Sequence, residues 1–235
     1  MRSDRKLPLE FRDENQWTID PNTGTQRPEY ERLRMYGTEF HRHSYSGRER
    51  NKLFLNQQGE RFIDLSGVSG ADEVADSRGW VKWDFDRDGW QDIALVNANK
   101  PLLGVYRNQL GNAKRDNTAN FVAVRFIGAN HQAAPSHQAT NRDGFGASVL
   151  VETDSIKVKR EHRCGEGYAV QNSSTMLVGI GKAATAKLSV TWPSGIMHGP
   201  IVVRAGQLVA CFEDSSQSPN ESHFKLQNYR PTVSN

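Results

Sequence analysis

The stretch Asp84-Phe85-Asp86-Arg87-Asp88-Gly89-Trp90-Gln91-Asp92 constrains this chain more than any other. It reads D-x-D-x-D-G-x-x-D. Alternate side chains on a tightly curled loop converge on one point, and here all of them are carboxylates. Asp84, Asp86 and Asp88 bring oxygens from the first, third and fifth positions. The main-chain carbonyl of Trp90 fills the seventh and Asp92 the ninth. Gly89, at the sixth, permits the sharp turn that aims that carbonyl inward. A hard cation taking roughly six to eight oxygen ligands suits such a set, which favours calcium over zinc or copper. A merely solvated acidic turn is the weaker reading, because an unneutralised carboxylate cluster repels itself.

The same loop argues against a helix-loop-helix calcium site. That motif needs a bidentate Glu at the twelfth position, where Leu95 stands. The flanks, Gly79-Trp80-Val81-Lys82-Trp83 and Ile93-Ala94-Leu95-Val96, are rich in β-branched, aromatic and apolar residues. The expectation is a calcium loop joining two antiparallel strands.

A second signal surrounds the first. Asn51 to Gly59 matches Gly104 to Gly111 in outline: Phe54 answers Tyr106, Asn56 answers Asn108, Gln57 answers Gln109 and Gly59 answers Gly111. Self-similarity at a spacing of about 50 residues marks a blade-type repeat. Each copy predicts an aromatic strand ending in an Asn-led turn. Closed propellers need at least about four blades. The chain holds about one full repeat and the start of a second, so it cannot close a propeller by itself.

Residues 1–48 read as an irregular polar arm with one short helix over Pro28 to Tyr36. His41 and His43 there are expected to be solvated histidines. Residues 49–112 form the repeat with its calcium loop, and the polar stretch Asn112 to Asn120 reads as a linker. From Phe121 short strand patterns alternate with Gly, Pro, Asn and Ser, which predicts a β-sandwich or barrel over 120–214. The candidate strands are Phe121 to Ile127, Ala147 to Glu152, Ile156 to Glu161, Tyr168 to Gln171, Met176 to Gly179, Lys187 to Trp192, Ile201 to Val203 and Gln207 to Glu213. Residues 215–235, rich in Ser and Asn, read as a flexible tail. The fold class is therefore all-β, a partial propeller-like blade followed by a sandwich or barrel.

Bulk properties close off several functions. Thirty Lys and Arg against 27 Asp and Glu leave only a small positive excess. The excess is spread along the chain, so nucleic acid is not an expected partner. No apolar run reaches the length of a membrane span. No signal peptide is visible after Met1-Arg2-Ser3-Asp4-Arg5-Lys6. Cys164 and Cys211 have no metal-ligand spacing. They either pair across the predicted sandwich or stay as free thiols.

The Asp84–Asp92 loop resembles the calcium loop of FG-GAP and VCBS repeats, the blades of integrin-type propellers. The resemblance implies a hairpin within a four-stranded blade and carries over Asp84, Asp86, Asp88, Trp90 (through its carbonyl) and Asp92 as calcium ligands. Five motifs downstream resemble the ASPIC/UnbV domain, which often follows such repeats in cartilage-acidic-protein-like proteins. They are Asn141-Arg142-Asp143-Gly144-Phe145-Gly146-Ala147, Gly165-Glu166-Gly167-Tyr168, Gly179-Ile180-Gly181-Lys182-Ala183, Trp192-Pro193-Ser194-Gly195 and Gly206-Gln207, in the family's order. One departure is Leu177-Val178, where the family tends to carry His-Phe.

Taken residue by residue, these motifs read as turns and packing sites. Trp192 is a candidate core anchor and Pro193-Ser194-Gly195 completes a turn. Arg142, Asp143, Glu166 and Tyr168 are the candidates for a ligand surface. No nucleophile elbow, phosphate loop or H-E-x-x-H is present. The expected function is non-enzymatic: a calcium-binding module for binding or scaffolding. The resemblance implies an extracellular, periplasmic or cell-surface home, a protein or glycan partner, and further repeats upstream. The alternatives are a carbohydrate-binding module of a secreted enzyme and an unrecognised hydrolase.

Overall fold

The computed structural model describes residues 50–75, 77–97, 101–112 and 119–230. The expected helix over Pro28 to Tyr36 and the histidines His41 and His43 lie outside the described residues. The described chain is almost entirely β-structure. It divides into two units: Met1–Arg78 with Leu95–Gly104, and Gly79–Ala94 with Val105–Asn235.

In the first unit, β1 (Phe54–Gln57) and β2 (Arg61–Asp64) form an antiparallel hairpin with Phe54 opposite Asp64. Its turn rests on Asn56, whose Oδ1 accepts the Gly59 N–H at 2.7 Å. Gly59 takes φ +87°, a left-handed value that costs glycine nothing. A single helical turn, α1 (Ser66–Ser69), follows. Ser66 is buried, and its hydroxyl accepts the Leu53 N–H at 2.9 Å, which fastens α1 to the hairpin. The strands β3 (Ser77–Trp83), β4 (Asp92–Asn97) and β5 (Leu103–Tyr106) form a three-stranded sheet in that order. The Asn-led turn recurs after β5, where Asn108 Oδ1 accepts the Leu110 N–H at 3.0 Å. Both matched residues thus cap a turn with the side-chain oxygen, Asn56 from three residues back and Asn108 from two.

The second unit holds Gly79–Ala94, with the loop between β3 and β4, together with β6 (Asn120–Ile127), β7 (Ser148–Glu152), β8 (Lys157–Glu161), β9 (Thr175–Gly181), β10 (Thr185–Thr191), β11 (Met197–Arg204), β12 (Gln207–Phe212) and β13 (Phe224–Asn228). One sheet runs β11-β10-β7-β8 and the other β13-β12-β6-β9. Pairing is antiparallel except between β12 and β6, where Leu208 opposes Ala123 in a parallel ladder. Strict alternation builds the core. Ala186, Leu188 and Val190 of β10 are buried, while Thr185 and Lys187 face out. Val122, Val124 and Phe126 of β6, Val149 and Val151 of β7, and Val178 and Ile180 of β9 meet them in one cluster with Trp192. Burying each such side chain contributes roughly 1.5–3 kcal/mol. The two sheets share this core, so the unit is a sandwich and the sheets do not close into a barrel.

Two sequence expectations change here. Tyr168 to Gln171 is no strand: Gly167 and Val170 make only an isolated bridge, and Ala169 at φ +52° breaks the extended path. The stretch after Asp214, expected to fray, instead supplies β13, with Cys211 opposite Phe224 and Gln207 opposite Asn228. Phe224 packs on the core and Tyr229 is buried, which gives this polar stretch its hold.

Candidate functional site

The loop between β3 and β4 curls because its carboxylates accept its own N–H groups. Asp84 takes the N–H of Asp88 at 3.0 Å and of Gly89 at 2.8 Å. Asp86 accepts from Asp88 N–H at 3.2 Å, and Asp88 from Trp90 N–H at 2.8 Å. Arg87 and Gly89 adopt left-handed φ values of 56° and 89°. The result draws Asp84, Asp86 and Asp88 together, with one oxygen of each within 4.8 Å of the others.

Asp92 stands apart from that trio. It is 1% exposed, and its two oxygens accept the Asn108 N–H at 2.7 Å and the Phe85 N–H at 3.1 Å. It clamps the two ends of the loop to the turn after β5. Trp90 lies in the same curl, with its indole against Gly111, where an added Cβ would come within 2.7 Å.

The charge of the trio is partly met. Arg107 Nε lies 2.6 Å from Asp86, and its Nη2 lies 3.7 Å from Asp88. Asp84 has no such cation among the described residues. Burial raises its carboxyl above the usual range, and the neighbouring Asp88 adds to the rise. Hydrogen bonds from Gly89, Tyr229 and Asp88 oppose it. A ring of carboxylate oxygens with one partly exposed guanidinium fits a hard divalent cation, which would relieve the cost carried by Asp84.

The sandwich holds this loop. Gly89 packs against Phe121, whose Cε1 lies 2.1 Å from where a Cβ would stand. Phe121 meets Tyr229 edge to face at 5.5 Å, and the Tyr229 side chain hydrogen-bonds Asp84. Arg230 donates to the carbonyls of Arg87 and Asp88. No sequence signal pointed to Tyr229 or Arg230, since both lie in a polar stretch without periodicity.

The other candidate residues are scattered. Arg142 and Asp143 pair with each other at 3.0 Å on the surface. Tyr168 is 79% exposed. Glu166 lies in the wall of a polar groove and accepts from Asn172 at 2.5 Å. Cys164 is exposed and Cys211 buried, both as free thiols, so the bridge between them does not form. Burial pushes the Cys211 thiol far up.

A further polar centre carries no motif of its own. Glu213, buried, accepts from Ala129 N–H at 2.9 Å, Thr140 N–H at 2.7 Å, the Thr140 hydroxyl at 2.7 Å and the Ser194 hydroxyl at 2.5 Å. Burial alone would raise its carboxyl, but these donors hold it below the usual range. Only Ser194, within Trp192-Pro193-Ser194-Gly195, hints at it in sequence. That motif forms the expected turn, with Gly195 N–H on the Trp192 carbonyl at 2.9 Å and Trp192 2% exposed in the core.

Among the described residues no helix is long and apolar enough to cross a membrane. No curated protein matches this chain. Residues 137–224 match the family model described as ASPIC and UnbV. All five glycine- and proline-bearing motifs fall within that span, which takes in β7 to β12 of the sandwich.

Proposed function

We propose that this chain is a calcium-binding, non-enzymatic β-module that serves binding or scaffolding outside the cytosol. Residues 49–112 then act as an FG-GAP/VCBS-type repeat, and its cation sits on the sandwich as a structural clamp. The observation that carries the reading is the convergence of Asp84, Asp86 and Asp88 within 4.8 Å on one curled loop. Asp86 and Asp88 share Arg107, whereas Asp84 is half-buried and has no cation of its own among the described residues. Trp90 adds its carbonyl to the proposed ligand set, whereas Asp92, expected as a further ligand, is committed to the Asn108 and Phe85 N–H groups and supports the loop from outside the trio.

Sites of this type in extracellular modules bind calcium with dissociation constants on the order of 0.1–1 mM. Such a site fills at extracellular calcium and stays empty at cytosolic levels, which supports the proposed location. Calorimetric titration of the purified chain with calcium tests the reading. One saturable site that disappears in Asp86→Ala is the expected result. Heat that is unchanged in Asp86→Ala, or none in the parent chain, overturns it.

A further inference from the structure

β8 and β9 are edge strands of the two facing sheets. Together they line a groove of about 430 Å³, to which Lys82 and Gln91 also contribute. That volume falls within the range of about 300–1,000 Å³ seen for small-ligand sites. We propose that this groove binds an anionic glycan, a hydroxyl-rich chain bearing sulfate or carboxylate groups.

The first argument is charge. Lys82, Lys159, Arg160 and Arg163 line the groove against Glu161 and Glu166, four cations to two carboxylates. Arg163 is spent on Glu161, at 3.4 Å. Glu166 is engaged by the Asn172 amide. Lys82, Lys159 and Arg160 have no ion-pair partner among the described residues. Like charges gathered in one concavity repel each other and raise the local concentration of anions.

The second argument is hydrogen bonding. Gln91, Ser173 and Thr175 place amide and hydroxyl groups among those cations, a lining suited to sugar hydroxyls. The same wall holds His162, buried between Phe126 and Phe145, whose Nε2 has no hydrogen-bond partner. With that nitrogen buried, His162 shapes the wall and leaves the hydrogen bonding to Gln91, Ser173 and Thr175.

The third argument is rigidity. The loop from β8 to β9 is fixed by Gln171, whose amide spans Gly165 N–H at 2.7 Å and the Arg163 carbonyl at 3.1 Å. Asn172 Oδ1 accepts the Lys82 N–H at 2.9 Å. A preformed groove spends little ordering entropy on binding. Single-stranded nucleic acid would need aromatic platforms for its bases. The lining offers no Phe, Tyr or Trp, so a glycan is the better occupant.

The test uses the full chain in chelator, which separates the groove from the cation loop. Fluorescence anisotropy would be read with labelled heparin tetrasaccharide for sulfate and labelled oligogalacturonate for carboxylate. At least one should bind saturably, and unlabelled dextran should not compete. Lys159→Glu combined with Arg160→Glu should weaken binding on the order of tenfold, whereas Lys187→Glu on β10 should not. Circular dichroism melts confirm that the variants are folded. If the double variant unfolds, Lys159→Gln with Arg160→Gln takes its place, with a smaller loss expected. Absence of binding by both probes, an equal loss in Lys187→Glu, or tighter binding of a single-stranded oligonucleotide overturns the proposal.

Discussion

The Arg107 guanidinium lies 2.6 Å from the Asp86 carboxylate, in the place where a second positive charge would otherwise act on the acidic curl. It therefore stabilises the loop without metal and competes with metal for the same oxygens. Arg107→Gln should tighten calcium binding, by roughly 0.5–1 kcal/mol for a partly exposed pair. The same variant should melt earlier in chelator. Calcium titration beside melts in chelator checks both, and a weaker calcium affinity would show that Arg107 supports the site.

Calcium should raise the melting temperature of the chain. A site with a dissociation constant near 0.1 mM, in about 1 mM calcium, adds roughly 1.4 kcal/mol by mass action. Because Asp84 is raised by burial, its ionisation costs stability in the metal-free chain. The protonated carboxyl escapes this cost, so its stabilising contribution is complete at low pH and is lost as pH rises through the folded value. The gain from calcium should therefore grow from acid toward neutral pH. Thermal melts with chelator and with calcium, at several pH values, measure it. A midpoint that calcium does not move would sever metal from fold.

Gly89→Ala joins two penalties, since Gly89 sits at φ +89° and its Cβ would come within 2.1 Å of the Phe121 ring. The backbone alone costs about 1 kcal/mol, and Phe121 must also shift. Denaturant unfolding should show a larger loss than for Gly206→Ala. Gly206 has a similar φ of 76° but open space around it.

Glu213 makes the sandwich sensitive to acid. Its carboxyl is held low, so its contribution is fully present above the ordinary value of 4.5 and lost as pH falls through the folded value. Glu213→Gln should cost about 1–3 kcal/mol at neutral pH, because donors from two loops, β6–β7 and β10–β11, lose their charged acceptor. Urea unfolding should also show a flatter pH dependence below 4.5 for this variant than for the parent chain.

The thiols should react unequally. Exposed Cys164 should be modified by a disulfide reagent at once, and buried Cys211 only after unfolding. Thiol counts before and after denaturant decide this. Two fast thiols would mean that the core opens in the native state.

Sequence reading succeeds where a local rule suffices. The strand pattern in Lys187 to Trp192 found β10 to within two residues, and the spacing of Asp84, Asp86 and Asp88 found the curl, since both follow from backbone period. It failed where a distant partner decides. Nothing near Phe224 or Tyr229 says that Cys211 offers a strand edge or that Asp84 offers an acceptor. Glu213 is hidden for the same reason: its donors come from residues 129, 140 and 194. Cys211 looked like a bridging partner, but it points into the core while Cys164 faces solvent.

The parallel pairing of β6 with β12 sets the order of events on the ribosome. β6 is synthesised first in the sandwich, yet both its neighbours, β9 and β12, emerge later. Until then Val122, Val124 and Phe126 leave the exit tunnel on a strand with two open edges, the form most prone to pair with a stranger. Synthesis runs at about 5–20 residues per second, so that exposure lasts for seconds. A trigger for chaperone capture is thus written into the topology, and a circular permutant that translates β12 and β13 ahead of β6 should shorten it.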